Sequence, residues 1–395
     1  MYAVGLMSGT SLDGVDAALC QVEGSGRNTK IELLSFDTTP IPEDVKAEIR
    51  LVMGNTVPQI DVLTSLNFKL GKVFAQAVNR LLTKNHMTGK DLAFVASHGQ
   101  TLYHIPKPNG TLVRSTLQMG ESAVIAYEVG APVISNFRVM DVAAGGEGAP
   151  LVPLSEIILY GEAGKNIALQ NLGGIGNVTL LPGTLNEAEV FAFDTGPGNM
   201  VIDEAMRILY GKSYDENGQV ALSGKIAEPL LSELLQHPYL DLPLPKSTGR
   251  EDFGEAFTRD LLTRYAHVAP EDFIATVTQF TASTMADAYT RYILPQYPLD
   301  RVVLGGGGAH NEAILSGLRK LLPQVEVLTQ EDLGLSSDAK EAIAFVILGN
   351  ETWHGSFGNV PGATGAGEGV ILGQITPCPT AFGRKVYGAW PEPGK

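Results

Sequence analysis

NLGGIGNVT, at residues 171–179, and FDTGPGN, at residues 193–199, decide how this chain is interpreted. The first predicts two short strands joined by a turn whose glycines leave backbone amides open to a phosphate group. The second predicts a strand that ends at Asp194, followed by a glycine turn and a helix start. A carboxylate beside outward-facing amides can act as an acid or base on an anionic substrate. An Asp at a strand-to-helix junction can equally be a helix cap, and both interpretations stay open.

The N-terminal part of the chain shows a related pattern. Strands are predicted at residues 2–7 and 15–22, joined by the polar turn SGTSLDG at residues 8–14, with a third strand at residues 31–36. Apolar residues at helical spacing predict a helix between residues 42 and 86. Buried strands at residues 92–96 and 131–135 end in SHGQT and NFR. Sites in α/β sheets tend to lie at such strand ends.

The pattern repeats loosely after AAGGEGAPLVP, at residues 143–153, which we interpret as a hinge. A second hairpin is predicted at residues 167–171 and 178–181, and a further strand at residues 190–194. The strand at residues 301–304 runs into GGGGAHN, residues 305–311. Helices are predicted at residues 201–209, 257–265, 273–294, 312–321 and 338–354. Each half therefore contains a hairpin and then a strand with a polar end.

Length and composition predict two domains. The chain has 395 residues, of which 44% are hydrophobic. A chain of this length exceeds what a single hydrophobic core usually holds. We expect an N-terminal domain at residues 1–148 and a C-terminal domain at residues 149–395, whose C-terminal tail can return to the first domain.

Charge and cysteine content exclude several classes of protein. The 43 acidic and 28 basic residues give a formal charge of −15, which opposes nucleic-acid binding. Cys20 and Cys378 are far apart and lack the spacing of a disulfide framework or a zinc site. We expect a cytoplasmic protein with no export signal of the usual kind and no membrane-spanning segment.

Familiar nucleotide and hydrolase motifs are missing from the sequence. Gly211-Lys212-Ser213 resembles the end of a Walker A loop, but Met206 occupies the position that requires glycine. The chain also lacks the paired motifs of protein kinases, a GxSxG elbow, an HExxH helix and a Rossmann fingerprint.

Several motifs are ambiguous when taken singly. SGTSLDG has the composition of an ordinary hairpin turn, and Glu341 can be a solvated or capping carboxylate. His98 can be a buried histidine with satisfied hydrogen bonds. Four consecutive glycines in GGGGAHN cost more chain entropy than a plain turn needs, which favours contact with a ligand.

Taken together and in order, the motifs resemble those of the anhydro-N-acetylmuramic acid kinases. The resemblance rests on MSGTSLDGVD, SHGQT, NLGGIGNVT, FDTGPGN, GGGGAHN and DAKEAIAF, which extend from Met7 to Phe345. That family belongs to the superfamily of sugar kinases, actin and heat-shock ATPases. The resemblance implies an α/β fold with two ribonuclease-H-like (actin-like ATPase) domains and a central interdomain cleft.

The resemblance also implies a reaction and its cofactors. The intramolecular ether of 1,6-anhydro-N-acetylmuramic acid is hydrolysed and the freed oxygen is phosphorylated by ATP, giving N-acetylmuramic acid 6-phosphate in cell-wall recycling. Mg²⁺ would neutralise charge on the phosphates, with ligands that are unknown. ATP and the sugar are the expected partners, without nucleic acid or membrane, and a homodimer is the expected assembly.

The resemblance assigns roles to individual residues. Asp194 would be the catalytic base, with Glu341 as a weaker candidate for a second carboxylate. Sugar contacts are expected from His98, Gln100, Glu121 and Arg138, of which Arg138 suits a carboxylate. The nucleotide contacts would be Gly9, Thr10, Ser11, Leu12, Asp13, Gly14, Val15 and Asp16 in the first phosphate loop, Asn171, Gly173 and Gly174 in the second, and Gly305, Gly306, Gly307 and Asn311 at the adenosine.

Two other functions stay open at this point. One is a kinase of the same superfamily that acts on a sugar or small acid with a free hydroxyl group. The other is a non-catalytic nucleotide switch, although the chain ends soon after its last motif and lacks the extra subdomains of those branches.

Overall fold

The computed structural model describes residues 1–9, 12–54, 59–186 and 189–378. The strands are β1 (Tyr2–Ser8), β2 (Val15–Glu23), β3 (Lys30–Thr39), β4 (Leu92–Ile105), β5 (Ser115–Met119), β6 (Val133–Ser135), β7 (Ile167–Leu172), β8 (Ile175–Leu181), β9 (Phe191–Pro197), β10 (Arg301–Gly305), β11 (Glu326–Thr329) and β12 (Gln374–Thr376). The α-helices are α1 (Glu43–Met53), α2 (Ile60–Lys84), α3 (Ser122–Val129), α4 (Val139–Ala143), α5 (Val152–Tyr160), α6 (Met200–Tyr210), α7 (Gln219–Ser223), α8 (Glu228–Leu234), α9 (Arg250–Phe253), α10 (Glu255–Arg264), α11 (Pro270–Ala288), α12 (Glu312–Leu321), α13 (Lys340–Trp353) and α14 (Pro361–Thr364).

The chain divides into two compact units. The first contains residues 1–159 and the described residues from 338 onward, and the second contains residues 160–337. The boundary at residues 159–160 lies after the expected one at residues 148–149, and the chain from residue 338, including α13, belongs to the first unit. At Gly5 of β1 an added Cβ would lie 1.9 Å from the Ala342 carbonyl oxygen of α13. Only a residue without a side chain allows this helix to pack so closely on the strand.

The glycine-rich segment at residues 143–153 is not the point where the chain passes between the units. The Glu147 amide donates to the Thr364 carbonyl at 2.8 Å, and the Gly367 amide donates to the Ala144 carbonyl at 2.9 Å. The segment is therefore tied to the C-terminal part of the first unit. The hinge prediction for residues 143–153 is wrong in this respect, since the chain crosses at residues 159–160 and 337–338.

The sheet of the first unit has the strand order β3-β2-β1-β4-β6-β12, with β5 paired to β4. The first three strands are antiparallel, whereas β4 and β6 run parallel to β1. Helix α2 covers part of this sheet through Leu66, Leu70, Phe74 and Leu81, which are all at most 1% exposed. Burying each such side chain stabilises the folded protein by roughly 1.5–3 kcal/mol. The helical spacing of these apolar residues, predicted from the sequence, is confirmed.

The second unit repeats this plan with the strand order β9-β8-β7-β10-β11. Strands β7, β8 and β9 are antiparallel, while β10 is parallel to both β7 and β11. The α/β class and the duplicated arrangement expected from the sequence are confirmed. Parallel pairing requires crossover connections, which explains why helices separate β9 from β10 and β10 from β11.

Strand β4 is longer than predicted. It continues through SHGQT to Ile105 and pairs with β5, so this motif lies within the strand and not beyond its end. The polar side chains His98 and Gln100 hid this continuation, because polar residues usually mark the end of a buried strand. In the part of the chain that the structure describes, no helix is long and apolar enough to cross a bilayer.

Candidate active site

The turn between β1 and β2, residues 9–14, is the first turn. Thr10 and Ser11, two of its expected phosphate contacts, lie outside the described residues. Leu12 has a φ of 61°, and its amide donates to the Gly9 carbonyl at 3.3 Å. The side chains of Leu12 and Val15 are buried in the core. These two residues can therefore contact a nucleotide only through their backbone atoms.

Gln100 of β4 supports the first turn. Ser8 Oγ donates to Gln100 Oε1 at 2.6 Å, and Gln100 Nε2 donates to the Gly9 carbonyl at 3.3 Å. The side chain is completely buried, and both its amide oxygen and its amide nitrogen make these hydrogen bonds. This placement corrects the expected sugar contact: Gln100 fixes the backbone of the turn and has no atom left to present to a ligand.

Acidic side chains collect near the first turn within the first unit. Asp16 at the start of β2 is half-buried, and its Oδ1 accepts from Thr38 Oγ1 at 2.6 Å. Burial raises the pKa of Asp16; the bond from Thr38 opposes this, and repulsion from Asp338 and Asp13 adds to it. Such a group of carboxylates favours a bound cation, which would relieve the repulsion.

Glu341 lies in the first turn of α13 and belongs to the same acidic group. Its side chain is accessible to solvent, yet surrounding protein desolvates it enough to raise its pKa. Repulsion from Asp16 raises the pKa further, whereas Lys340 and Arg138 lower it. Glu341 is not the N-cap of α13, a position held by Ala339. A raised pKa is the property expected of a carboxylate that exchanges protons.

The half-buried Arg138 pairs with the buried His98. Arg138 Nε donates to His98 Nε2 at 2.9 Å, and His98 Nδ1 donates to the Gly99 carbonyl at 2.8 Å. Burial, and then the charge of Arg138, lower the pKa of His98 to about 3. His98 is thus neutral, carries its proton on Nδ1 and orients the guanidinium group.

The guanidinium of Arg138 keeps donors for a ligand. Its Nη1 donates to the Gly148 carbonyl at 2.7 Å, while Nη2 has no hydrogen-bond acceptor among the described residues. Burial lowers the pKa of Arg138, and Glu341 opposes this shift. A half-satisfied and partly desolvated guanidinium is suited to bind a carboxylate.

Lowering the pH should destabilise the protein through His98. The unfolded histidine takes up a proton near pH 6.5, whereas the folded one does so only near pH 3. The contribution of neutral His98 to the free energy of unfolding is therefore complete above pH 6.5 and is lost progressively as the pH falls toward 3. Between pH 7 and pH 5 we expect a loss of up to about 2 kcal/mol in the free energy of unfolding. Urea unfolding followed by circular dichroism at both pH values measures it.

His98→Gln should show a weaker pH dependence than the wild type, because glutamine accepts from Arg138 but does not titrate. His267→Gln, at an exposed position, is the matched control and should behave as the wild type. Equal pH dependence in all three proteins would show that the pKa of His98 is the same in the folded and unfolded states.

A small polar cavity of about 110 Å³ lies in the first unit beside His98. Glu121 Oε1 caps α3 by accepting from the Ala123 amide at 3.1 Å, and Oε2 accepts from Asn67 Nδ2 at 3.0 Å. Ser97 Oγ and Gln118 Oε1 are buried without a hydrogen-bond partner. Unpaired polar atoms around a polar cavity are expected where hydroxyl groups of a ligand, or water, bind. The lining comprises Asn67, Ser97, His98, Gly99, Gln118, Gly120, Glu121, Ser122, Ser135 and Asn136.

The turn between β7 and β8 consists of Gly173 and Gly174 and is the glycine turn. The Asn199 amide donates to the Gly173 carbonyl at 2.8 Å, and the Gly198 amide donates to the Gly174 carbonyl at 2.9 Å. Neither turn amide donates a hydrogen bond to another group of the described chain. An added Cβ at Gly173 would have no neighbour closer than 3.8 Å, so the turn is open to a ligand. This geometry fits the predicted phosphate contact.

Asp194 lies in the middle of β9, which continues to Pro197, and not at the strand end predicted from the sequence. It is half-buried, and its Oδ2 accepts from the Thr248 amide at 3.0 Å. Burial raises the pKa of Asp194, and the bond from Thr248 opposes that shift. Helix α6 begins at Met200, with Asn199 at its N-cap, so Asp194 does not cap it. The helix-cap alternative is therefore wrong.

The second unit contains a cavity of about 620 Å³ between α6, the following turn and the glycine-rich motif after β10. Two of the expected adenosine contacts, Gly307 and Asn311, line it. Asn311 Oδ1 also caps α12 by accepting from the Ala313 amide at 3.0 Å. The full lining is Asn199, Ile202, Asp203, Ser213, Tyr214, Asp215, Glu216, Asn217, Gly307, His310 and Asn311.

Sequence reasoning missed most of this lining. Asp203 and Tyr214 stand outside the glycine motifs, and Ser213 belongs to the tripeptide dismissed as a false Walker A loop. His310 lies within GGGGAHN but was not among the residues expected to contact a ligand. The sequence carried one usable signal: Asp203 lies four residues after Asn199, on the same face of the helix that FDTGPGN begins.

Gly305 and Gly306 do not line this cavity. An added Cβ at Gly305 would lie 2.7 Å from the Gln330 side chain, and one at Gly306 would lie 2.8 Å from Asn171 Oδ1. Gly306 also has a φ of 79°, which favours glycine. Both positions therefore have no room for a side chain, whereas the adjacent Gly307 lines the cavity. The expected contacts of Gly305 and Gly306 with adenosine stay a prediction.

Comparisons with known proteins agree with the motifs. A family model described as anhydro-N-acetylmuramic acid kinase matches residues 1–378. A relative of that name from Clostridioides difficile (strain 630) is 54% identical over 385 residues, covering 98% of this chain and 100% of the relative. Another of that name from Bacillus cereus (strain G9842) is 52% identical over 378 residues, covering 95% and 99%.

Two solved structures are similar to the chain at low sequence identity. The activator of the 2-hydroxyisocaproyl-CoA dehydratase from Clostridium difficile, with bound ADPNP, has a TM-score of 0.43 and 12% identity over 89% of this chain and 95% of its own. A ROK family glucokinase from Streptomyces griseus, in complex with glucose and AMPPNP, has a TM-score of 0.33 and 12% identity over 87% and 99%. At these scores the likeness carries no argument about the site.

Proposed function

We propose that this chain, which belongs to the anhydro-N-acetylmuramic acid kinase family, converts 1,6-anhydro-N-acetylmuramic acid, water and ATP into N-acetylmuramic acid 6-phosphate and ADP in peptidoglycan recycling. The family match over residues 1–378 is the observation that carries the proposal. The open glycine turn, the half-buried Asp194 and the orienting pair His98–Arg138 supply the chemical groups that such a reaction needs.

ATP would bind through two phosphate contacts and one nucleoside cavity. The free amides of Gly173 and Gly174 are suited to the phosphates, as is the backbone of the first turn. The cavity of about 620 Å³ has room for a nucleoside, and no Lys or Arg is among the described residues that line it. This lining favours a neutral nucleoside there, with the phosphates at the glycine turn.

Mg²⁺ would neutralise the phosphate charge. Among the described residues, no group of three or more His, Cys, Asp or Glu side chains is arranged to hold a metal ion by itself. Mg²⁺ in phosphoryl-transfer sites needs only one or two carboxylates, because phosphate oxygens and water complete its shell. Asp16, whose pKa is raised in part by neighbouring carboxylates, fits such a role.

Asp194 would act as the base. A water molecule attacks the anomeric carbon, the bond from that carbon to the bridging oxygen breaks, and Asp194 takes a proton from the water. The released oxygen bonds to the γ-phosphorus, and ADP leaves. Oδ2 of Asp194 is held by the Thr248 amide, which leaves Oδ1 to accept the proton. Glu341 is a second candidate carboxylate for orienting the water, on the basis of its raised pKa.

The sugar would be held by residues of the first unit. Arg138 offers Nη2 to the lactyl carboxylate, and His98 acts behind it by fixing the guanidinium. Glu121 and the unpaired atoms of Ser97 and Gln118 offer acceptors and donors for sugar hydroxyl or amide groups. A cytoplasmic location is supported by the buried thiol of Cys20, which is not part of a disulfide. A homodimer stays a prediction that sedimentation would test.

Product analysis tests the proposed function. With ATP, the anhydro sugar should yield N-acetylmuramic acid 6-phosphate, whereas free N-acetylmuramic acid should be a poor substrate. In ¹⁸O-labelled water the label should enter the anomeric oxygen and not the phosphate, because water attacks carbon while the sugar oxygen takes the phosphoryl group. Faster turnover of the free sugar, or label in the transferred phosphate, would favour a kinase that acts on a free hydroxyl group.

A further inference from the structure

The Asp203 carboxylate lines the nucleoside cavity without a protein partner. Among the described residues, no hydrogen bond or ion pair is made by its side-chain oxygens, although it is half-buried. Burial alone raises its pKa, to about 6. A desolvated carboxylate with no donor is unfavourable unless a ligand supplies one.

The other carboxylates of this cavity differ from Asp203. Asp215 accepts from the Val220 and Ala221 amides at 2.9 Å each, so its oxygens are used to hold the start of α7. Glu216 is exposed to solvent, which hydrates its charge. Asp203 is therefore the acidic group of this cavity that combines partial burial with free acceptor atoms.

The position of Asp203 along the cavity indicates which part of a nucleotide it meets. The Asn199 amide is bonded to Gly173 in the glycine turn, and the Asp203 amide donates to the Asn199 carbonyl at 2.8 Å. Asp203 thus lies one helical turn, about 6 Å, from the point where α6 joins the glycine turn. In a nucleotide the ribose follows the phosphates and precedes the base.

We propose that Asp203 accepts hydrogen bonds from the ribose hydroxyl groups of ATP and makes the site select ribonucleotides over deoxyribonucleotides. This inference rests on the proposed function, because it assumes that the cavity holds the nucleoside of ATP. A carboxylate can accept from two adjacent hydroxyl groups, and a hydrogen bond to a charged group is stronger than one between neutral groups. Removing one hydroxyl leaves the buried oxygen unpaired again, which is the physical origin of the selectivity.

Calorimetry with ATP, 2′-deoxy-ATP and 3′-deoxy-ATP tests this role without turnover, since the sugar is left out. The wild type should bind ATP about 10- to 100-fold more tightly than at least one deoxy analogue. Asp203→Ala should bind all three with similar affinity, mainly because its affinity for ATP falls. Glu204→Gln is the matched control, because it removes a charge from the same helix outside the cavity and should keep the wild-type preference.

The outcomes separate this inference from the proposed function. If the wild type binds ATP and both analogues equally, or if Asp203→Ala keeps the full preference in a folded protein, Asp203 does not bind the ribose. If the wild type binds none of the nucleotides, the proposed kinase function fails as well. Asp203→Asn adds a second test: it keeps one acceptor and should show a preference between those of the wild type and Asp203→Ala.

Discussion

Asp194→Asn should lower kcat at least about a hundredfold while ATP affinity changes little. Asparagine keeps the size of the side chain, and its carbonyl oxygen can still accept from the Thr248 amide. It has no basic oxygen to take the proton of the attacking water. Steady-state kinetics with the anhydro sugar, together with calorimetry for ATP, measures the two quantities separately.

Asp260→Asn is a suitable control for this substitution. Asp260 lies on α10 and pairs with Arg264 at the surface, so the same chemical change there should leave kcat unaltered. A fully active Asp194→Asn enzyme would require a different base. Because Asp194 is not a helix cap, a simple loss of folding does not explain an inactive variant whose ATP affinity is intact.

Gly307→Val should weaken ATP binding by at least about tenfold, which corresponds to about 1.4 kcal/mol. Gly307 lines the cavity of about 620 Å³, and an added Cβ would meet only Asn199 Nδ2, at 3.7 Å. The new side chain therefore fits the folded protein but occupies space that the nucleoside needs. Calorimetry with ATP gives the affinity, and circular dichroism verifies the fold.

Two further variants make the result for Gly307 specific. Gly367→Val places the same side chain at an exposed glycine outside the cavity, where the nearest atom is 3.5 Å away, and should leave ATP affinity unchanged. Gly306→Val is expected to disturb the protein itself, because its Cβ would lie 2.9 Å from the Leu172 carbonyl oxygen. Unchanged ATP affinity in a folded Gly307→Val protein would show that the nucleoside does not bind in this cavity.

The sequence by itself determined the two hairpins, the repeated order of elements and the α/β class. These features follow from local patterns: alternating apolar residues, glycine turns of defined length and apolar residues at helical spacing. The bounds of α12 were predicted without error, because Asn311 is an N-cap residue that immediately precedes the helical pattern. The family resemblance also rested on the sequence, since several motifs in order are far more specific than one.

Only the tertiary structure decided the roles of single side chains. Gln100 and His98 are both polar residues of SHGQT, but their roles differ. The side-chain amide of Gln100 is hydrogen-bonded to the backbone and Ser8 at the first turn, whereas His98 orients Arg138. The difference arises from the partners that the sheet places beside each residue. The same holds for Gly306 and Gly307, which are identical in sequence and differ in what a side chain would meet. The membership of α13 in the first unit and the free carboxylate of Asp203 depend on contacts between residues far apart in the chain. Such contacts leave no local pattern, since burial and hydrogen-bond partners arise only when distant segments pack together.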